Sequence, residues 1–254
     1  MSRLILPPGM KPYYDDGHGH VILHGDCRDI LPQLPKVDLV LTDPPYGLGQ
    51  DRARVLSRGK GGPNSKRLAP ATDYGDFAWD KKPAPAESIE LALASADLAI
   101  IWGGNYFPLP PSRGWLVWDK INGKSDFADC ELAWTNLPQA VRLFRHRWNG
   151  MFRESEKSMP RLHPTQKPLA LFRWCLFFCP DAETILDPFM GSGTTLVAAK
   201  NLGRKAIGIE LCEEYCEIGA RRLSQQTLEF PDVPAPEKPS PLSLWEDVEP
   251  EFLR

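Results

Sequence analysis

The chain has 254 residues, 42% of them hydrophobic and 25% charged, with a formal net charge of −3. That length allows a sizeable core in one α/β unit, and no apolar run is long enough to span a bilayer. The start, Met1 to Pro8, lacks the apolar stretch of a signal peptide, and the six cysteines contain no Cys-x-x-Cys pair, so the expected setting is cytoplasmic, with buried reduced thiols and no metal.

Residues 1–20 show no periodicity and read as an N-terminal surface arm. Strands are expected near 21–24 and 37–42, the second running Val37-Asp38-Leu39-Val40-Leu41-Thr42. Directly behind it stands Asp43-Pro44-Pro45-Tyr46. Two prolines cannot extend the sheet, and they hold the segment stiff. The result is a prong with an acceptor carboxylate, an outward carbonyl and a flat ring. Those groups suit a planar ring bearing an exocyclic NH2: Asp43 and the Pro44 carbonyl accept its hydrogens while Tyr46 stacks on it. An ordinary surface turn also favours Pro and Asp, but it has no use for the whole set.

The loop at 48–76 follows, and its residues 52–67 hold Arg52, Arg54, Arg58, Lys60, Lys66 and Arg67 without an acid. A helix near 87–96 and strands near 98–102, 115–118 and 131–135 come next. Trp102-Gly103-Gly104-Asn105-Tyr106 ends a strand and reads as ordinary turn chemistry over the alternative of a pocket lining, and Trp118, Asp119, Lys120 and Glu131 as support for the fold over the alternative of a pocket rim. A second basic stretch, 142–162, extends to Lys167 and includes Arg142, Arg145, Arg147, Arg153 and Trp148. Both stretches are candidates for a nucleic-acid surface, against the plain reading of a solvated charged face. Trp174, Phe177 and Phe178 fall at helical spacing within a helix near 168–178 and read as core.

Residues 184–210 spell a strand, a glycine turn, a helix near 193–202 stopped at Gly203, and a strand near 205–210 ending in Glu210. Gly191 and Gly193 let backbone approach a ligand. Ser192, Thr194 and Thr195 open the helix, where free N–H groups favour an anionic group. Glu210 lies where a carboxylate reaches ribose hydroxyls. Leu196 replaces the third small residue of a dinucleotide site, and no Lys-Ser or Lys-Thr follows the last glycine, so a nucleoside cofactor without pyrophosphate fits better. A helix near 213–227 ends the unit. Residues 229–254 hold seven acids against two bases and repeated prolines, which leaves the preceding body at +2 and predicts a weakly ordered acidic tail.

These motifs resemble the S-adenosylmethionine-dependent amino-methyltransferases of DNA. Asp43-Pro44-Pro45-Tyr46 looks like their catalytic motif and Phe189-Met190-Gly191-Ser192-Gly193 like their cofactor turn. His163-Pro164-Thr165-Gln166-Lys167-Pro168 is similar to the segment flanking the cofactor's methionine end, and His24-Gly25-Asp26 to the segment against its adenine. The order, catalytic motif first, is that of the beta arrangement. The resemblance implies a Rossmann-like, doubly wound α/β methyltransferase sheet with permuted motif order and small inserted recognition loops, occupying a catalytic domain at 21–228. It implies catalytic residues Asp43, Pro44, Pro45 and Tyr46, and a cofactor set of Asp26, His163, Thr165, Lys167, Asp187, Phe189, Gly191, Ser192, Gly193, Thr194 and Glu210. Asp26 would meet adenine, Glu210 the ribose, Phe189 the adenosyl moiety, and Thr165 and Lys167 the methionine carboxylate.

The partner so implied is double-stranded DNA, in a bacterial, archaeal or phage setting that admits a homodimer and a cognate restriction enzyme. The target base must leave the stack, and no metal or covalent enzyme intermediate is needed. Asp43 at the motif's first position favours adenine N6 over cytosine N4, the alternative within the class. Outside it stand an idle DNA-binding module and an RNA or protein amine as substrate.

Overall fold

The structure, a computed structural model, describes residues 6–47, 82–123, 128–149, 152–156 and 166–225. The described chain runs β1 (Tyr14–Asp15), β2 (His20–His24), α1 (Cys27–Ile30), β3 (Val37–Thr42), α2 (Ala86–Ala94), β4 (Ala96–Trp102), β5 (Gly114–Asp119) and β6 (Cys130–Thr135). It continues through β7 (Arg142–Arg145), β8 (Trp148–Asn149), β9 (Phe152–Arg153), α3 (Leu169–Phe177), β10 (Thr184–Asp187), α4 (Thr194–Asn201), β11 (Lys205–Glu210) and α5 (Glu213–Ser224). Among the described residues nine strands form one sheet in the order β1-β2-β11-β10-β3-β4-β6-β5-β7, and β8 and β9 pair separately.

Strands buried on both faces read as near-continuous apolar runs, and β3 does so apart from Asp38. That exposed carboxylate accepts hydrogen bonds from the Thr184 N–H (2.8 Å), the Thr184 hydroxyl (2.7 Å) and the Glu183 N–H (3.0 Å), which fixes the start of β10 beside β3. One face of the sheet is covered by α3, α4 and α5, through Leu171, Phe172, Leu176, Leu196 and Leu223. The other carries α1 and α2, through Cys27, Ile89 and Ala92. Gly203 ends α4 at φ +68°, as its place in the sequence predicts.

The alternation of strands and helices along the sequence suits an open parallel sheet, but the sheet is mixed. β6 runs antiparallel to both β4 and β5. The ten residues between β5 and β6 hold no described helix, and without a crossover two adjacent strands pair head to tail. Within the expected N-terminal arm, Tyr14–Asp15 pair antiparallel with β2 at the sheet's edge. Among the cysteines Cys27, Cys175, Cys179 and Cys216 are buried, but Cys130, expected to be buried with them, is exposed. Among the described residues no helix is long and apolar enough to cross a membrane.

The topology fixes where a site can form. β3 and β10 are parallel neighbours, Leu39 opposite Ile185 and Val40 opposite Leu186. From β3 the chain passes outward through α2 to β4, and from β10 it passes the other way through α4 to β11. Such a switch point leaves a crevice at the carboxyl ends of the two strands, and both principal motifs emerge there.

Candidate active site

Asp43 leaves the end of β3, and the following prong is pinned from behind. The Ala84 N–H donates to the Pro45 carbonyl at 2.9 Å, and Tyr46 bridges Pro83. Pro44 is buried. The Tyr46 hydroxyl donates a short hydrogen bond to Oδ1 of Asp43. Its ring stacks on Tyr106 (centroids 5.0 Å apart, planes at 17°) and takes Phe107 on its edge. Gly103, at φ +67°, makes room for it: a Cβ there would stand 2.0 Å from Cε1 of Tyr46. The turn read as ordinary is therefore the seat of the prong's aromatic ring.

Lys167, implied by the resemblance at the cofactor's methionine end, reaches the prong. Its ammonium meets Oδ2 of Asp43 at 2.5 Å and Oε2 of Glu131 at 3.1 Å, and it stands 5.3 Å from the Tyr46 ring centroid. Glu131 in β6 in turn pairs through Oε1 with Lys120, just past β5. Lys120 and Glu131, read from sequence as fold support, thus belong to the site's charge network. Trp118 and Asp119 do support the fold: the indole N–H donates to the His146 carbonyl at 2.9 Å, and Asp119 accepts from Ile121 N–H and Arg145.

Burial raises the Asp43 carboxyl above its ordinary value, Lys167 opposing and Glu131 reinforcing. Burial also pushes Glu131 up, but Lys167 and Lys120 outweigh it and bring the carboxyl down to about 2. For Lys167 burial favours the neutral amine, and the two carboxylates reverse this and hold it above the usual lysine value. Glu131 faces two ammonium groups and Asp43 one, so Glu131 is the stronger acid of the two.

The glycine turn stands opposite. Gly191 and Gly193 adopt φ +51° and +77°, the left-handed region the turn requires. Asp187, expected among the cofactor residues, is buried and holds the turn through its own hydrogen bonds. Its Oδ1 accepts from the Thr42 hydroxyl (2.7 Å) and the Phe189 N–H (3.1 Å), and its Oδ2 from the Thr195 hydroxyl (2.5 Å). Burial lifts its pKa to about 6 against those three bonds. Ser192 and Thr194 are buried. Arg222 ties them from behind, donating to the Ser192 carbonyl (2.7 Å), the Ser192 hydroxyl (3.1 Å) and the Thr194 hydroxyl (3.1 Å).

Glu210 accepts from the Gly191 N–H and the Cys212 N–H, both at 2.9 Å, and burial raises its pKa. The neighbouring parallel strand ends beside it: His24 pairs with Glu210, and Gly25 N–H donates to the Glu210 carbonyl at 2.9 Å. Asp26, one residue on, caps α1 through Arg28 N–H (2.9 Å) and grips the Arg28 guanidinium (2.5 Å). Hydrogen bonding from Arg28 holds its carboxyl below the ordinary value. Phe189 packs, partly buried, against the core on the sheet face that carries α1 and α2.

Asp43, Tyr46, Lys167, Asp187 and the glycine turn thus meet at one crevice rim, with Glu210 and Asp26 one and two strands away. His163, Thr165, the loop 48–76 and residues 157–162 of the second basic stretch lie outside the described residues, as does the acidic tail. The described part of that stretch is the edge strand β7 and the β8–β9 pair, where Arg153 lies 5.4 Å from the Trp148 ring centroid. Sequence reasoning gave no site role to Thr42 or Arg222. Only the hydroxyl of Thr42, a polar end to an apolar strand, gave a signal.

Comparison with known proteins fits this geometry. Residues 112–221 match the model of a family described as DNA methylase, N6_N4_Mtase. The chain is 27% identical to the type II methyltransferase M.ScaI of Streptomyces caespitosus over 265 residues, covering 85% of this chain and 84% of that one. It is 30% identical to "Putative methylase YubD" of Escherichia coli strain K12 over 224 residues, covering 80% and 89%. Among solved structures, the PvuII DNA methyltransferase (cytosine-N4-specific) superposes with a TM-score of 0.51 at 16% identity, covering 87% of this chain and 91% of that one. That likeness shows the fold.

Proposed function

This chain belongs to the DNA methylase family, and from that premise we propose that it methylates an exocyclic amine of double-stranded DNA at a specific site. The methyl donor is S-adenosylmethionine and the acceptor is adenine N6. One observation carries the reading: the Asp43 carboxylate and the Tyr46 ring converge with the glycine turn at the sheet's switch point. The type II relatives support a modification enzyme of a restriction system, and Asp43 at the motif's first position supports adenine by the family's tendency.

The residues suit that donor. Gly191 and Gly193 bring bare backbone to the crevice, and Glu210 keeps acceptor lone pairs beyond its two backbone bonds for ribose hydroxyls. Asp26, steadied by Arg28, follows the neighbouring strand on the adenine side, and Phe189, partly buried, offers an apolar ring. When bound, S-adenosylmethionine supplies an electrophilic sulfonium methyl.

The protein's own work is to orient the amine. Its lone pair is delocalised into the ring, so it is a weak nucleophile. Asp43 and the Pro44 carbonyl accept the amine hydrogens, draw the nitrogen toward tetrahedral geometry and aim the lone pair at the crevice. Tyr46 holds Oδ1 of Asp43 in place through its hydroxyl and offers its ring to the flipped base. Tyr106, 47% exposed, stacks on that ring and extends the aromatic surface of the site. After transfer Asp43 takes the surplus amine proton and releases it to solvent.

The test is incubation of the protein with labelled S-adenosylmethionine and unmethylated duplex DNA, then nucleoside mass analysis, with Asp43→Ala in parallel. N6-methyladenine from wild type and none from the variant is the expected result. N4-methylcytosine would move the acceptor to cytosine, and the absence of any methylated nucleoside across varied DNA would overturn the reading.

A further inference from the structure

Four charged side chains alternate in sign across the site: Asp43 after β3, Lys167 before α3, Glu131 in β6 and Lys120 after β5. Their side chains are only 7–19% exposed. One end of the chain of charges, Asp43, is the acceptor for the reacting amine, and the other, Lys120, is anchored three strands away in the sheet. We infer that Glu131 and Lys120 are positioning residues, dividing Lys167 between two carboxylates and so setting how much of Asp43 remains for the substrate amine. The inference rests on the methyltransferase reading of Asp43.

The physical reason lies in the charge that develops during transfer. The amine nitrogen gains positive charge as it is methylated, and an acceptor carboxylate stabilises it. An ammonium given wholly to Asp43 would cancel much of that attraction, because charges interact strongly in a poorly solvated site. Glu131 at 3.1 Å draws Lys167 partly away, and Lys120 limits how far it does so. As a purely structural device the chain is poorly motivated, since buried ion pairs are often no more stabilising than apolar side chains of the same size. Besides Lys167, Glu131 and Tyr46, Asp43 also faces Asp187 across the β3–β10 junction. Asp187 is not part of the alternation and is unchanged in the test below.

The two positioning residues act with opposite sign, which makes the idea testable. Removing the Glu131 charge leaves Lys167 wholly to Asp43. Removing the Lys120 charge frees Glu131 to pull Lys167 from it. The experiment compares wild type, Glu131→Gln and Lys120→Gln, each checked for folding by thermal melting. In the first measurement the Asp43 carboxyl is titrated by 13C NMR in protein free of DNA and cofactor. Its midpoint is expected to fall by about one pH unit in Glu131→Gln and to rise in Lys120→Gln. In the second, single-turnover methylation is followed against pH, and the acid limb is expected to move the same two ways. The rate near neutrality should drop about tenfold or more in Glu131→Gln, with KM for DNA within about twofold of wild type.

Shifts of one sign in both variants, or none in either, would overturn the inference. Should Glu131→Gln not fold, the direction seen in Lys120→Gln decides alone. If wild type methylates no DNA, the functional reading fails, and the NMR titration still decides whether the charges are coupled as described.

Discussion

The Thr42 hydroxyl donates to the Asp187 carboxylate at 2.7 Å, joining the last residue of β3 to the last residue of β10. Each strand ends in one of the two motifs, so this bond ties the Asp43–Tyr46 prong to the glycine turn. Thr42→Val keeps the shape and removes the donor. A lost bond to a buried charged group costs about 1.5–3 kcal/mol, and that drop is expected in chemical denaturation. The methylation rate should fall about tenfold, since misplacement of reacting groups is costly. Asp187→Ala strands Thr42, Thr195 and the Phe189 N–H together and is expected to cost more than Thr42→Val.

Asp187 also predicts a pH dependence of stability. Its pKa in the folded protein is about 6, above the unfolded value of about 3.9. The folded state therefore binds this proton more tightly. The group's stabilising contribution is complete below about pH 4 and is lost as pH rises through about 6, an effect of roughly 3 kcal/mol. Asp187→Asn cannot titrate and lacks this slope. Urea unfolding of both proteins from pH 4 to 7 should show the variant gaining on wild type across that window; parallel curves would count against it.

The seat of Tyr46 gives a sharper test of the motif. Gly103→Ala adds a Cβ 2.0 Å from the ring at a φ of +67°, so both the ring and the backbone must shift. Loss of about 1–2 kcal/mol of stability is expected from the left-handed backbone alone. Methylation should fall further than in Tyr46→Phe, which keeps the ring and loses only the hydroxyl's bond to Asp43. A Gly103→Ala protein that methylates at the wild-type rate would show that the Tyr46 ring need not be held there.

What the sequence carried and what it did not have separate physical causes. β3, β10 and β11 are short apolar runs with abrupt polar ends, so their places, and the motifs behind them, are legible one residue at a time. The glycine turn is local too, since Gly191, Gly193 and Gly203 take the left-handed backbone their positions imply. Lys167 and Glu131 meet across 36 residues of chain, and nothing local in Trp118-Asp119-Lys120 or in Glu131 reports a partner on another strand. The antiparallel β6 escaped for the same reason: alternation along a strand reveals its faces, not the direction of its neighbour. Gly103 and Tyr106 looked like a turn because they are one, and their second role as the bed of Tyr46 exists only once β4 lies beside β3.

Asp26 separates two roles that one side chain can combine. Its contacts within the protein are those of a helix cap and an Arg28 fork, and the proposed contact with the cofactor's adenine adds to them. Removing a cap costs about 1 kcal/mol, so Asp26→Ala should lower stability by that much whatever else it does. If the carboxylate also accepts from the adenine amine, Kd for S-adenosylmethionine should rise about tenfold, as loss of a charge-assisted hydrogen bond implies. Asp26→Asn retains an acceptor for the Arg28 N–H and should restore most of the stability while leaving cofactor affinity reduced. Calorimetric titration of the three proteins with S-adenosylmethionine, beside their melting curves, reads both effects. Affinity unchanged in both variants would confine Asp26 to its cap and leave Glu210 and Phe189 to hold the nucleoside.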